Sequence, residues 1–418
     1  VQAPAGFFVF LKEVFMKKNL ILGIFILLFF CAGAFALPGI DTVTGTIQNG
    51  QVITIKGTGF GTNGPNVVFF EDFENGIDNA RIATAPAAIG AWTRGNLDYA
   101  LYSATWAHSG AKSMKNNWDV PIGEPNNVDA APKISFGNTD TVFYSFWTMV
   151  PAGMNIPGDN CTGGNPYGPN WKFSWMNFAS NEYISAIVLN CNLTWGYWFG
   201  NGGEPRAGDI EGSFKMAKGR WSRFDFYQRS SSGNAGAIIG TEFDAVNGMI
   251  KRVDKNNVCT STGGAVWNYL LIPGYGRGKT KNGVTVYDDI YIATGPGARA
   301  RVEIGDAATY AACKNIAIST ATSWSDIYIT AVVRPGSFVD FSKAYLYVFD
   351  SAGNVNAQGF ALNSAQPPVE PPVIPPESTG PLHSYSSGVT GQMLFDDNYI
   401  YGYTGARWKR AAWSAETW

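Results

Sequence analysis

Histidine is nearly missing from this chain: 418 residues contain two, His108 and His383. Hydrolytic chemistry that passes protons through an imidazole therefore has little to work with. Charge is sparse as well. Asp, Glu, Lys and Arg make up 15% of the residues, and 30 basic side chains stand against 32 acidic ones. Without a basic excess there is no electrostatic footprint for nucleic acid. No Gly-x-Ser-x-Gly elbow, phosphate-binding loop or dinucleotide fingerprint occurs, which removes the common hydrolase and nucleotide-binding signatures. The glycines of 200–203 and 274–278 read as loops between strands. No long stretch shows helical period, and this excludes a parallel sheet crossed by helices.

Cysteine is scarce too. Five are present, at spacings that suit neither zinc nor haem attachment. Long apolar runs are confined to the start. Met16-Lys17-Lys18 precedes the run Leu20 to Phe30, and Ala34-Phe35-Ala36 follows it. This order reads as a signal peptide over 16–36, cleaved before Leu37. The run is too short to read first as a membrane span. Residues 1–15 read as upstream sequence ahead of an initiator at Met16. Cys31 follows two phenylalanines rather than small residues, so a lipoprotein anchor is not expected. Export leaves four cysteines, an even number that reads as disulfides. Three pairings are open. Cys161–Cys191 is favoured because it would staple a Gly/Pro/Asn-rich loop, with Cys259–Cys313 as the remainder.

What the chain has in quantity is aromatic side chains, 14% of residues, together with 49 glycines. Residues 41–64 alternate as two strands around Asn49-Gly50, a strong hairpin signal. From 66 to 297 short strands follow one another between turn clusters, among them 141–150, 183–189, 221–228 and 284–293. The expectation is an all-β antiparallel sandwich. Residues 298–363 form a second, smaller β unit. A Pro-rich linker over 364–380 leads to an aromatic β-tail over 381–418. The tail is too small to hold a core, so it is expected to dock on a neighbour, self-association included.

Two acidic phrases bracket the main β region: Glu71, Asp72 and Glu74 near its start, Asp288 and Asp289 at its end. Each puts carboxylates into an apolar alternating run. Neighbouring carboxylates repel unless a cation or a basic side chain separates them, and hard oxygen ligands suit Ca²⁺. The arrangement resembles the concanavalin A-like and LamG-like jelly rolls, and the ending Gly57-Thr58-Gly59-Phe60-Gly61 resembles the IPT/TIG immunoglobulin-like modules. The tail resembles short β-tails of phage particle and microbial surface proteins. The jelly-roll resemblance implies a secreted, glycan-facing sandwich with a structural calcium ion. The smaller unit would be immunoglobulin-like. Asp72, Glu74, Asp288 and Asp289 are the expected metal ligands.

Glycan binding would fall to Trp171, Trp175, Trp195, Tyr197 and Trp198, the densest aromatic cluster, although alternation must turn half of these rings inward. Asn170, Asn177 and Asn190 lie nearby as hydrogen-bonding partners. Catalysis has less support. The three-acid strand of sandwich glucanases is absent, since Glu242 and Asp244 lack a third acid. The lyase strands familiar from alginate lyases are absent too. A lyase site of another kind would draw on Lys172, Arg223, Tyr227 and Arg229. The sequence thus points first to a non-catalytic binding or adhesion protein for polysaccharide, next to a polysaccharide lyase, and third to a subunit of an extracellular filament or particle.

Overall fold

The computed structural model describes residues 37–94, 99–117, 127–128, 132–154, 171–178, 184–189, 194–201, 204–205, 210–261, 266–273, 276–277, 283–364, 389–395 and 399–412. The expected signal peptide, the Pro-rich linker beyond Ser364, Cys161 and Cys191 lie outside them. The regular structure is almost wholly β-strand, joined by a few short 3₁₀ turns. No helix among the described residues is long and apolar enough to cross a membrane.

Residues through 365 form one compact unit and residues from 366 a second. Among the described residues the first contains three sheets. An eight-stranded sheet is centred on Thr141–Met149, which lies between Ser222–Arg229 and Val284–Thr294. The first and last strands of this region do meet, with Asn66–Glu71 pairing antiparallel to Val284–Thr294. All nine residues of Thr141–Met149 are buried. A strand covered on both faces needs apolar side chains in both sets of alternate positions, so its sequence reads as a continuous run. Val142, Tyr144 and Phe146 enter one core, while Phe143 and Trp147 enter two smaller clusters on the opposite face.

The first core is shared with a nine-stranded sheet whose central path runs through Thr194–Asn201, Ile184–Leu189, Trp171–Phe178, Trp267–Leu271 and Lys133–Thr139. Phe173, Met176, Ile187, Trp195, Tyr197 and Trp267 pack there against Phe224 and Phe226 of the eight-stranded sheet. These two sheets make the antiparallel sandwich expected from sequence.

The opposite face of the eight-stranded sheet is covered by a second sandwich. The hairpin Gly39–Thr44 and Val52–Thr58 pairs with Tyr328–Val332, in a seven-stranded sheet that continues through Ile316–Trp324 to Arg301–Gly305 and Tyr345–Phe349. The segments 37–65 and 298–363, set apart in the sequence, thus share one core built on Val43, Ile55, Val302, Ile304, Ile329 and Leu346. The larger sandwich is inserted between the second and third strands of the smaller one.

The docking of the two is polar at its centre. Arg223 donates to both oxygens of Asp225 at 2.7 and 2.8 Å and to both of Glu303 at 3.2 and 2.8 Å. Arg301 pairs with the same Glu303 and stacks on Phe349, 3.6 Å from the ring centre. Tyr310 donates to Glu303 at 2.9 Å. A buried charge is tolerated only when paired and hydrogen-bonded, and this cluster meets that condition.

The tail unit is a three-stranded antiparallel sheet of Met393–Phe395, Tyr399–Tyr403 and Trp408–Ala412. Tyr401 and Trp408 are buried within it.

Candidate functional site

The strongest candidate is the face of the nine-stranded sheet turned away from the core, and two irregularities in strand pairing create it. In Trp171–Phe178 the register shifts so that Ser174 opposes Ile187 while Lys172 opposes Val188, leaving Phe173 as an extra residue. Phe173 and Ser174 both turn inward, Phe173 into the core and Ser174 to the hydroxyl of Tyr144 at 3.3 Å. Lys172 and Trp175 consequently lie on the same side of the sheet, away from the core and three positions apart, with Lys172 buried at 6% exposure and Trp175 partly open. A second shift between Trp267 and Tyr269 keeps Trp267 and Leu270 in the core and turns Tyr269 outward. Bulges of this kind re-aim side chains and are frequent beside functional sites.

The resulting rows can be read across the sheet. Asn177 lies opposite Tyr269, which in turn lies opposite Ser135. In the next row Trp198 lies opposite Ala186, Ala186 opposite Trp175, Trp175 opposite Leu271, and Leu271 opposite Lys133. Lys133 Nζ sits 3.9 Å from the centre of the Tyr269 ring, and Lys172 Nζ 5.2 Å from that of Trp175. Both are cation–π distances. Trp175 and Tyr269 remain partly open to solvent. The five central strands contain these two lysines and no aspartate or glutamate at all.

The sequence-derived ligand cluster is thereby divided. Trp175 is on the outer face. Trp195 and Tyr197 are core residues, 0% and 1% exposed, packed on Phe224 and stacked on Phe226. The side chains of Trp171 and Trp198 lie outside the described residues. The lyase set is divided more sharply and needs correction. Arg223 and Tyr227 do share a face of Ser222–Arg229 with Asp225, but that face lies beneath the second sandwich. Arg223 is 1% exposed and held by Glu303. Arg299 lies 5.0 Å from the centre of the Tyr227 ring, and burial raises the Tyr227 phenol. Arg229 is exposed at the strand end. Lys172 belongs to the other sheet, so the four do not form one site.

The acidic residues do converge, at the junction of the two sandwiches. Asp288 is buried and accepts the backbone N–H groups of His108, Ser109 and Asp289 at 2.8 to 3.1 Å. Burial and the neighbouring Asp289 carboxylate push it well above the ordinary carboxylate range. Glu74 accepts from the N–H groups of Ala111 and Lys112. Asp289 accepts from Ser109 Oγ at 2.9 Å and lies 3.1 Å from His108 Nδ1. Asp72 lies 3.9 Å from Arg334, and burial raises it. The fit to calcium is poor. N–H and O–H donors already hold most of these oxygens, and among the described residues no three His, Cys, Asp or Glu side chains gather as a metal-binding group.

The pairing of Cys259 with Cys313 is also corrected. Both are free thiols. Cys259 lies near the carbonyls of Ser232 and Ser261, whereas Cys313 is buried beside Tyr347 in the cluster beneath the second sandwich. The two belong to different sheets' surroundings, which sequence spacing could not reveal.

Sequence reasoning missed Lys133 and Tyr269 and gave Asn177 a minor place. Strict alternation hides Tyr269, because the bulge beside it reverses the inside–outside pattern along its strand, whereas Lys133 alternates regularly and is placed beside Tyr269 only by strand pairing. The signal that was available is the run of strands without a carboxylate.

No protein-family model matches the chain, and neither does any curated protein. The IPT/TIG and LamG resemblances therefore gain no support from either. Among solved structures the chain is similar to an endo-β-1,4-glucuronan lyase from Trichoderma reesei, at 12% identity and a TM-score of 0.35 over 48% of this chain and 88% of that one. It is similar to a mutant of the alginate lyase Aly36B in complex with an alginate tetrasaccharide, at 11% identity and a TM-score of 0.39 over 56% and 98%. A PL-14 alginate lyase from Aplysia kurodai aligns at 6% identity and a TM-score of 0.32 over 47% and 88%. No residue of this chain takes a role from them.

Proposed function

We propose that the chain is exported and acts on an acidic polysaccharide seated on the outer face of the nine-stranded sheet. The observation that carries this reading is the pairing of cations with rings on a face built from strands without a carboxylate. A sugar ring lays its C–H face on Trp175 or Tyr269, and its carboxylate meets Lys172 or Lys133. Both contacts come from one pair of side chains. A neutral glycan would use the rings and gain nothing from the lysines, so the face favours uronates.

Eliminative cleavage is the second reading, and the opposition of Asn177 and Tyr269 favours it over binding alone. Directly opposed residues hold their Cβ atoms roughly 4.5–5.5 Å apart, close enough for both to reach one sugar unit. Tyr269, acting as its phenolate, would remove the proton from C5 and so become the phenol. Asn177 and Lys172 would hold the carboxylate while negative charge develops on it. The electron pair closes a C4–C5 double bond as the C4–oxygen bond breaks, and the phenol returns its proton to the leaving oxygen.

The test is calorimetric titration with polyuronates and neutral glucans, alongside ultraviolet absorbance of unsaturated uronate ends. Polyuronate binding that weakens with salt and falls about tenfold in Lys172→Ala and in Lys133→Ala supports the seat. Absorbance growth abolished by Tyr269→Phe supports elimination. Binding of neutral glucans alone would remove both readings. Self-association through the tail strands 393–412 is a separate part of the proposal, tested by sedimentation of the chain with and without residues 366–418.

A further inference from the structure

A pocket of about 420 Å³ opens where the two sandwiches meet, lined by Asp72, Glu74, His108, Asp289, Arg334 and Phe338 among others. Its polar lining is of two kinds. Asp72, Glu74 and Asp289 are acceptors. Arg334 is a donor whose guanidinium makes, among the described residues, only the loose 3.9 Å pairing with Asp72, and its Nε is buried with no hydrogen-bond partner. The same guanidinium lies over Phe70, 5.1 Å from the ring centre. His108 is held in place from two sides. Its ring stacks on Trp147 at 3.7 Å, and its Nδ1 lies 3.1 Å from Asp289. Phe338, with Pro335 and Val339 beside it, supplies an apolar wall.

The backbone is bent to present these groups. Asp289 has φ of 47° and Phe73 has φ of 60°, a region that non-glycine residues seldom enter. At Asp289 the pairing of Val284–Thr294 with Thr141–Met149 slips. Asp288 is thereby sent into the protein and Asp289 toward the pocket. Local strain of this sort persists where surrounding structure enforces it, and it clusters at binding sites.

We propose that this junction pocket is a second site, specific for a neutral, polyhydroxylated ligand of one or two sugar rings. Hydroxyl groups donate to Glu74 Oε2 and Asp72 Oδ2, the carboxylate oxygens that the protein's own N–H and O–H donors leave open, and accept from the guanidinium, and a ring C–H face lies on Phe338. A free anion would be repelled by the carboxylates, and a simple cation would meet Arg334. The volume falls in the range of small-molecule pockets, roughly 300–1,000 Å³. The proposal does not rest on the reading of the nine-stranded face, because the two sites share no residue.

Saturation-transfer NMR on the full chain, with chelator present, tests it using a panel of neutral methyl glycosides and disaccharides. At least one should bind and should raise the melting temperature, because it bridges both sandwiches. Arg334→Gln should weaken that binding about tenfold or more. Asn49 lines the mouth from an exposed turn, so Asn49→Trp should block binding while leaving the melt of the free protein as it is. Three outcomes would overturn the proposal: no glycoside binding, binding of spermidine in place of glycosides, or glycoside binding undiminished in Asn49→Trp.

Discussion

Glu71 shows how one residue can weaken the fold it belongs to. It is fully buried at the end of Asn66–Glu71, where it accepts the Phe73 N–H at 2.8 Å and faces Trp92 Nε1 at 3.4 Å. Burial outweighs those bonds and raises its carboxyl to about 8. Between its unfolded value near 4.5 and that folded value, the folded state holds a proton that the unfolded state has lost. Stability must therefore fall as pH rises across the window. Glu71→Gln keeps an acceptor for Phe73 and cannot ionise. The variant should gain on the order of 1–3 kcal/mol near pH 8 relative to pH 5, against wild type. Urea melts across that range check it; parallel curves for the two proteins would refute it. The acids at the junction give a second test at this scale. With their oxygens held by N–H and O–H donors, a change from calcium to chelator should leave the melting temperature within about 1 °C. A clear rise with calcium would restore the metal site that the sequence suggests.

Among the elements, Arg301–Gly305 holds the two sandwiches together through Glu303. Burial alone would raise this carboxyl, but Arg223 and Arg301 overcome it and hold it down to about 2. The stabilisation is complete above the unfolded carboxyl value and is lost as pH falls toward the folded one, so it should disappear between roughly pH 4.5 and 2. Glu303→Gln leaves Arg301 without its carboxylate and Arg223 with Asp225 alone in a buried interface, and should cost about 3–5 kcal/mol at neutral pH, read from denaturant unfolding. A cost below about 1 kcal/mol would mean that water reaches the cluster. The cysteine elements make a chemical prediction. Native protein should expose Cys259 to a thiol reagent, and Cys313, buried and with its thiol pushed up by burial, should react after unfolding without reductant. Recovery of a crosslinked 259–313 peptide would refute the free-thiol arrangement.

For the whole molecule, the insertion of one sandwich into the other has a consequence for dissection. Residues 66–297 produced alone would expose Phe70, Phe143, Trp147 and the Arg223 cluster, all now covered. This fragment should aggregate, as light scattering would detect, whereas residues 37–365 should melt as cooperatively as the full chain. Aggregation of 37–365 instead would tie the tail to that core.

The sequence by itself determined what local pattern can determine. Alternation and turn residues place Ile184–Leu189, Ser222–Arg229 and Val284–Thr294 within a residue or two of their observed bounds. The odd-numbered face of Ser222–Arg229 is legible too, because side-chain direction in a strand follows from position alone. Tertiary structure decided what covers each face. Arg223 and Tyr227 look like half-exposed groove residues until a sandwich closes over them, and that sandwich is itself assembled from segments more than two hundred residues apart. The bulges at Phe173 and beside Tyr269 were likewise settled by pairing across strands, where an extra residue on one strand costs little if the core gains a ring. These two reversals put Lys172, Trp175, Asn177 and Tyr269 on one side of the sheet, the lysine and asparagine buried and the two rings partly open, and no period in the sequence records them.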